Sequence, residues 1–118
     1  MQDVTTILVV DDELLIRTFA VEALETAGYN VVDAPDADAA LKMLERYDYV
    51  SIIFSDIRMP GSMNGLEFAR LVSARWPNIK LLLTSGAANR PADAPSGCQF
   101  LPKPYNYGDL VTRVDAMI

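Results

Sequence analysis

Asp11 and Asp12 close the apolar run Ile7-Leu8-Val9-Val10, Asp56 closes Val50-Ser51-Ile52-Ile53-Phe54-Ser55, and Lys103 follows Cys98-Gln99-Phe100-Leu101-Pro102. Apolar runs without alternation are what strands buried on both faces require, as in a parallel sheet covered by helices. Such sheets bind ligands outside the carboxyl ends of their strands, where these three carboxylates and one ammonium would converge. Carboxylates gathered there repel one another unless a hard cation sits among them, so a divalent metal with oxygen ligands, Mg²⁺ before others, is expected. A carboxylate beside such a metal can attack phosphorus and become an acyl phosphate. Phosphoryl transfer then needs in-line positioning and neutralised equatorial oxygens. The metal supplies part of that neutralisation and the Lys103 ammonium more, and Thr84, ending the strand 79–83, can donate one further hydrogen bond.

The elements that must place these groups are legible along the chain. Apolar runs at 7–10, 30–33, 50–55, 79–83 and 98–101 alternate with helical patterns, which indicates βαβ units and a parallel sheet. A first helix is expected over 13–27, with Leu15, Ile16, Phe19, Ala20, Ala23, Leu24 and Ala27 at helical spacing and Gly28 as its stop. A second starts near Asp36, an N-cap candidate, and turns Ala40, Leu41 and Leu44 inward. A third, over 64–75, carries Leu66, Ala69, Leu71 and Val72 and ends before Pro77. The last follows Asn106 and buries Leu110, Val111, Val114 and Met117. Between the fourth and fifth strands, residues 86–97 hold two prolines, two glycines and no large apolar residue. One short helical turn or an irregular loop is expected there.

Composition bounds the function. At 118 residues the chain reads as one domain, 1–118, with a core of its own. No apolar stretch approaches the ~18 residues that span a bilayer, and nothing before the first strand reads as a signal peptide. Cys98 is the single cysteine, so no internal disulfide forms; within an apolar strand it reads as a small core residue. Together these features point to the cytoplasm. A net charge of −6 argues against direct nucleic-acid binding. The chain has no histidine, so any phosphohistidine or histidine base must come from elsewhere.

Four segments, in order and at strand ends, resemble the receiver domains of two-component response regulators. They are Ile7-Leu8-Val9-Val10-Asp11-Asp12-Glu13, Ser55-Asp56-Ile57-Arg58-Met59-Pro60-Gly61, Thr84-Ser85-Gly86 and Leu101-Pro102-Lys103-Pro104-Tyr105. The resemblance covers essentially the whole chain. It implies a flavodoxin-like (βα)5 three-layer sandwich, its five parallel strands in the order 2-1-3-4-5, here with a shortened or irregular fourth helix. It makes Asp56 the phospho-acceptor. Asp12 and Asp56 would bind Mg²⁺ through their carboxylates, Asp11 through water and Arg58 through its backbone carbonyl. Lys103 would pair with phosphoryl oxygens, Lys103-Pro104 would be a cis peptide, and Thr84 would swing toward the phosphoryl group as the switch aromatic Phe100 turns inward. The phosphodonor would be a histidine kinase or histidine phosphotransfer protein. Beyond self-catalysed phosphorylation and dephosphorylation no enzyme activity is expected.

Plainer roles stand beside these. Asp11 alone reads as a helix cap, but the pair Asp11-Asp12 exceeds what a cap needs. Asp56 alone reads as a turn residue, and Thr84 as an ordinary strand residue. Phe100, an aromatic in a central strand, also reads as simple core. Trp76 and Tyr105 read as packing residues, one at a crossover end and one near the site mouth, and the Arg58 side chain as solvated. Relative to the family pattern, Ser62 lengthens the loop after Asp56, and the fourth crossover is short. That places the family's usual output surface in question.

Two other classes compete. A Mg-dependent aspartyl-phosphate phosphatase also uses a strand-end aspartate, but places a second acid two residues on, where this chain has Arg58. A flavin module of the same sheet order needs a hydroxyl- and glycine-rich phosphate loop where this chain has Asp11-Asp12-Glu13. A stand-alone receiver and a piece of a hybrid kinase or longer regulator both fit, Met1 slightly favouring a natural start.

Overall fold

The computed structural model describes residues 4–86 and 90–118. Five strands, β1 (Thr6–Val10), β2 (Asn30–Ala34), β3 (Val50–Asp56), β4 (Lys80–Ser85) and β5 (Gln99–Pro102), form one sheet in the order β2-β1-β3-β4-β5. All four pairings are parallel. The helices are α1 (Leu14–Thr26), α2 (Ala37–Arg46), α3 (Gly65–Arg75) and α4 (Tyr107–Asp115). The expected three-layer sandwich is present, and most boundaries shift by a residue. The strand expected to end before Thr84 runs on through Ser85, so Thr84 is itself within β4.

Strand alternation divides the core into two halves. Leu8, Val10, Ile53, Leu81 and Leu83 face α2 and α3, meeting Ala40, Leu44, Phe68, Ala69 and Val72. Ile7, Val9, Ile52, Phe54, Leu82 and Leu101 face α1 and α4, meeting Ala20, Leu24, Leu110 and Val114. Phe68, not among the residues expected to face inward from α3, is fully buried. Cys98 is buried as a core residue should be, and burial lifts its thiol to about 11.

Caps hold the helices where their sequences start them. Asp36 accepts from the Ala39 amide at 2.8 Å. Asn64 and Glu67 form a reciprocal capping box at the start of α3. Asn106 accepts from the Asp109 amide at 2.7 Å. Trp76 follows α3 as its C-cap, half-buried against the core with the Arg75 guanidinium 4.4 Å from its ring centroid.

Helix α1 departs from expectation. Ala20 and Leu24 are buried, but Leu15 is 69% and Phe19 49% exposed, and Ala27 is exposed as well. Spacing gives the stripe but not its reach: the buried stretch of α1 is its later half, and among the described residues these side chains join neither half of the core. Phe19 meets the Tyr107 ring of α4 at 6.3 Å.

Among the described residues no helix joins β4 to β5, as the prolines of that crossover lead one to expect. Of the segment 86–97, residues 87–89 lie outside those described. The remainder is an irregular loop pinned by two arginines. Arg90 donates through Nε to the Cys98 carbonyl at 3.0 Å and through Nη2 to the Ala94 and Pro95 carbonyls. Arg70 of α3 bonds the Asp93 carboxylate and carbonyl. Guanidinium donors thus satisfy carbonyls that a helix would have satisfied internally. Phe100 lies on the edge strand β5 rather than a central one; it pairs with Leu83, is half-buried and packs on the α2–α3 half of the core.

Candidate phosphoryl and metal site

At the carboxyl ends of β1, β3 and β4 the expected residues meet. Asp11 follows the last residue of β1, and its amide donates to the Ala34 carbonyl at 3.2 Å, which extends the β1–β2 ladder by one bond. One carboxylate oxygen of Asp11 accepts from the Glu13 amide at 2.9 Å; Glu13 is itself the N-cap of α1, which has no side-chain cap, so the plainer reading of Asp11 as a helix cap does not hold. Arg17, one turn into α1, donates to the Asp11 carbonyl at 2.7 Å and to Asp33 Oδ2 at 2.8 Å. It ties the ends of β1 and β2 to α1. Its side chain is largely buried, and its role was not read from the sequence; a cation one turn after the acidic pair was the available signal.

Asp56 ends β3 and is buried. Its register partner on β4 is Thr84, whose carbonyl accepts from the Ile57 amide at 3.0 Å. One Asp56 oxygen accepts from the Arg58 amide at 3.2 Å, while the other bonds Lys103 Nζ at 2.8 Å. The Arg58 side chain is exposed, as expected. Behind Asp56, Gly65 lets the start of α3 approach the strand end. A Cβ there would stand 2.0 Å from the Asp56 carbonyl oxygen and 2.7 Å from Ile57 Cα, closer than any side chain tolerates. The sequence marks Gly65 only as a helix start.

Lys103 is placed by its amide bond to the Ser85 carbonyl at 2.8 Å and precedes the cis peptide to Pro104. Burial pulls its ammonium down, but the Asp56 hydrogen bond and the charges of Asp56, Asp11 and Glu13 outweigh this and hold it above the ordinary lysine value. Asp11 is also shifted upward. Burial is the largest cause, the Glu13 amide opposes it, Asp56 and Asp12 add repulsion, and Lys103 offsets part.

Asp11, Asp12 and Asp56 each offer a carboxylate oxygen within 4.8 Å of the others. Hard oxygen donors so spaced fit a divalent cation. A second observation points to a missing partner: Thr84 Oγ1 is buried without a hydrogen bond. Buried hydroxyls are seldom left so, and this one belongs to Asp56's neighbour across the sheet. Tyr105 packs near the mouth as expected, edge-on to Phe54 at 5.6 Å, but its buried hydroxyl also lacks a partner.

Comparison with known proteins agrees with this geometry. Residues 7–115 match the profile of the response regulator receiver domain. The chain is 34% identical over 116 residues to the response regulator receiver protein CpdR of Brucella abortus, covering 95% of each. It is 38% identical over 120 residues to the sensor kinase CckA of the same organism, covering 96% of this chain but 12% of that kinase. Among solved structures, the response regulator TrrA of Thermotoga maritima, in complex with Mg²⁺ and BeF, superposes with a TM-score of 0.87 at 28% identity over 97% of this chain and 99% of that one. The chain belongs to the response regulator receiver family, the phospho-accepting domains of two-component systems.

Proposed function

We propose that Asp56 is the residue of this receiver domain that takes the phosphoryl group, with Mg²⁺ bound beside it. The observation that carries the assignment is the 2.8 Å bond from Lys103 Nζ to Asp56 Oδ2 within the cluster of three carboxylates. Asp11, Asp12, Asp56 and the Arg58 carbonyl are the residues that would hold the cation. When bound, it supplies positive charge opposite the oxygens of the incoming phosphoryl group.

The chain's own residues do the rest. An Asp56 carboxylate oxygen attacks the phosphorus of a phosphohistidine on a partner kinase or phosphotransfer protein. The P–O bond forms as the P–N bond breaks, and the imidazole leaves. The chain's lack of histidine requires that donor to be another protein or another domain. Lys103 already sits where it can follow the charge from carboxylate to phosphoryl oxygen, and the unpartnered Thr84 hydroxyl provides a further donor. Phosphorylation adds about −1.5 to −2 charge. Drawing Thr84 toward it, and Phe100 after Thr84, would bias the β4–β5 surface between two states. The chain's chemistry is then limited to accepting and releasing its own phosphoryl group, in the cytoplasm. Among the described residues no helix is long and apolar enough to cross a membrane. Arg58, standing where a phosphatase would place its second acid, argues against turnover of free phosphoesters.

Incubation with Mg²⁺ and acetyl phosphate tests the assignment by intact mass. One phosphoryl adduct that disappears in Asp56→Asn is the expected result. An adduct that persists in Asp56→Asn, or rapid release of phosphate from phosphoesters, refutes it.

A further inference from the structure

Tyr105 does more than close the mouth of the site. Its ring is fixed on two sides, edge-on to Phe54 at 5.6 Å and to Tyr107 at 6.1 Å. With Ile16, Gly86, Lys103, Pro104 and Tyr107 it walls a largely apolar pocket beside the acidic cup. Packing of that kind explains an aromatic ring. It does not explain the hydroxyl, which is buried and unpaired. Thr84 Oγ1 shares that condition, and Thr84 belongs to the phosphoryl site.

The surroundings say what the hydroxyl can do. Burial is the main reason its phenol lies well above the ordinary tyrosine value, followed by the charge of Asp11, the neighbouring Tyr107 and the charge of Asp56. It therefore stays neutral and keeps its proton. A neutral phenol facing carboxylates is a donor in search of an anionic acceptor. Its ring contacts keep it from swinging to solvent, and in this conformation it reaches neither carboxylate. The acceptor must arrive with whatever fills the cup: an oxygen of the phosphoryl group or of its mimic.

We propose that Tyr105 is a positioning residue of the phosphoryl site, its O–H donating to an anionic oxygen of the loaded cup on the Asp11 side and favouring the loaded state over the empty one. This rests on the assignment of Asp56 and Mg²⁺ above. It also separates the tyrosine from a phenylalanine of the same shape, which would pack equally well and donate nothing.

Tyr105→Phe tests it, with Mg²⁺ and beryllofluoride as the phosphoryl mimic, titrated by calorimetry beside thermal unfolding of the metal-free protein. Metal-free Tyr105→Phe should melt at or slightly above the wild-type temperature, because a buried unpaired hydroxyl has been removed. Its affinity for the mimic should fall about tenfold, the loss of one hydrogen bond to a charged group. In the wild type, the Tyr105 hydroxyl proton resonance should move downfield, as a new hydrogen bond requires, only when the mimic is bound. Tyr107→Phe, which alters an exposed neighbour, should bind as the wild type does. Equal affinity in Tyr105→Phe and wild type, or a hydroxyl proton resonance that is the same with and without the mimic, overturns the proposal while leaving the Asp56 assignment standing. A wild type that binds no mimic overturns both.

Discussion

Replacing Asp11 by asparagine should stabilise the metal-free protein and weaken its response to Mg²⁺. Asp11 is 3% exposed, with oxygens of Asp12 and Asp56 within 4.8 Å. Two unit charges at such a separation interact by about 3.5 kcal/mol at an effective permittivity near 20. Lys103, 2.8 Å from Asp56, offsets much of the repulsion between Asp11 and Asp56, and the exposure of Asp12 screens its share. About 1–2 kcal/mol of net destabilisation remains, which for a chain of this length corresponds to roughly 4–8 °C in Tm. Asparagine keeps an acceptor for the Glu13 amide, so that hydrogen bond survives.

The pH dependence carries the sign. Asp11 is held above its ordinary value of 3.8, so the folded protein binds that proton more tightly than the unfolded chain. The destabilisation is present above the folded-state value and fades as pH falls through it toward 3.8. Calorimetric melts should therefore show Asp11→Asn above wild type at neutral pH and low salt without metal, with the gap closing in acid. Excess Mg²⁺ should reverse the order, because the wild type gains more stability from a bound ion than a variant lacking one of the three carboxylates. A metal-free Asp11→Asn that melts below wild type at neutral pH would refute the reasoning, since neither burial nor repulsion would then be costing the wild-type carboxylate.

Three further substitutions probe the scaffold around the cup. Gly65→Ala drives a Cβ against backbone that cannot yield and should cost about 3 kcal/mol or more, read as a lowered denaturant midpoint. Arg17→Met removes the donors to the Asp11 carbonyl and to Asp33; since the Asp33 pair is partly exposed, a loss of about 2 kcal/mol is expected, with reduced Mg²⁺ affinity in the same titration. Asn64→Ala breaks the capping box of α3 and should cost about 1 kcal/mol in chemical unfolding while leaving acetyl phosphate labelling intact.

Much of this was legible in one dimension because the physics behind it is local. Ile7 to Val10 and Ile52 to Phe54 carry no alternation, which only a strand covered on both sides tolerates. Asp36, Asn64 and Asn106 announce helix starts by what their side chains can accept. By the same logic the proline-rich fourth crossover holds no helix among its described residues. Leu15 and Phe19 misled because periodicity gives a stripe but not its neighbours, and nothing in α1 says where its cover ends. Arg17 and Gly65 were missed as site supports because their partners, Asp33 and the Asp56 carbonyl, stand well away in the chain.

Sequence alone determined which chemistry is available: acids and a lysine at strand ends, no histidine, and one cysteine without a partner. Those follow from residue type and local order, which no packing can change. Tertiary structure decided which oxygen meets which nitrogen. Lys103 Nζ reaches Asp56 Oδ2 across 47 residues only because β5 lies beside β4 and β4 beside β3. It decided also which hydroxyls are sealed from water. The chain offers Thr84 as a candidate donor and Tyr105 as a packing residue, but burial of both hydroxyls without a partner is a property of the whole fold.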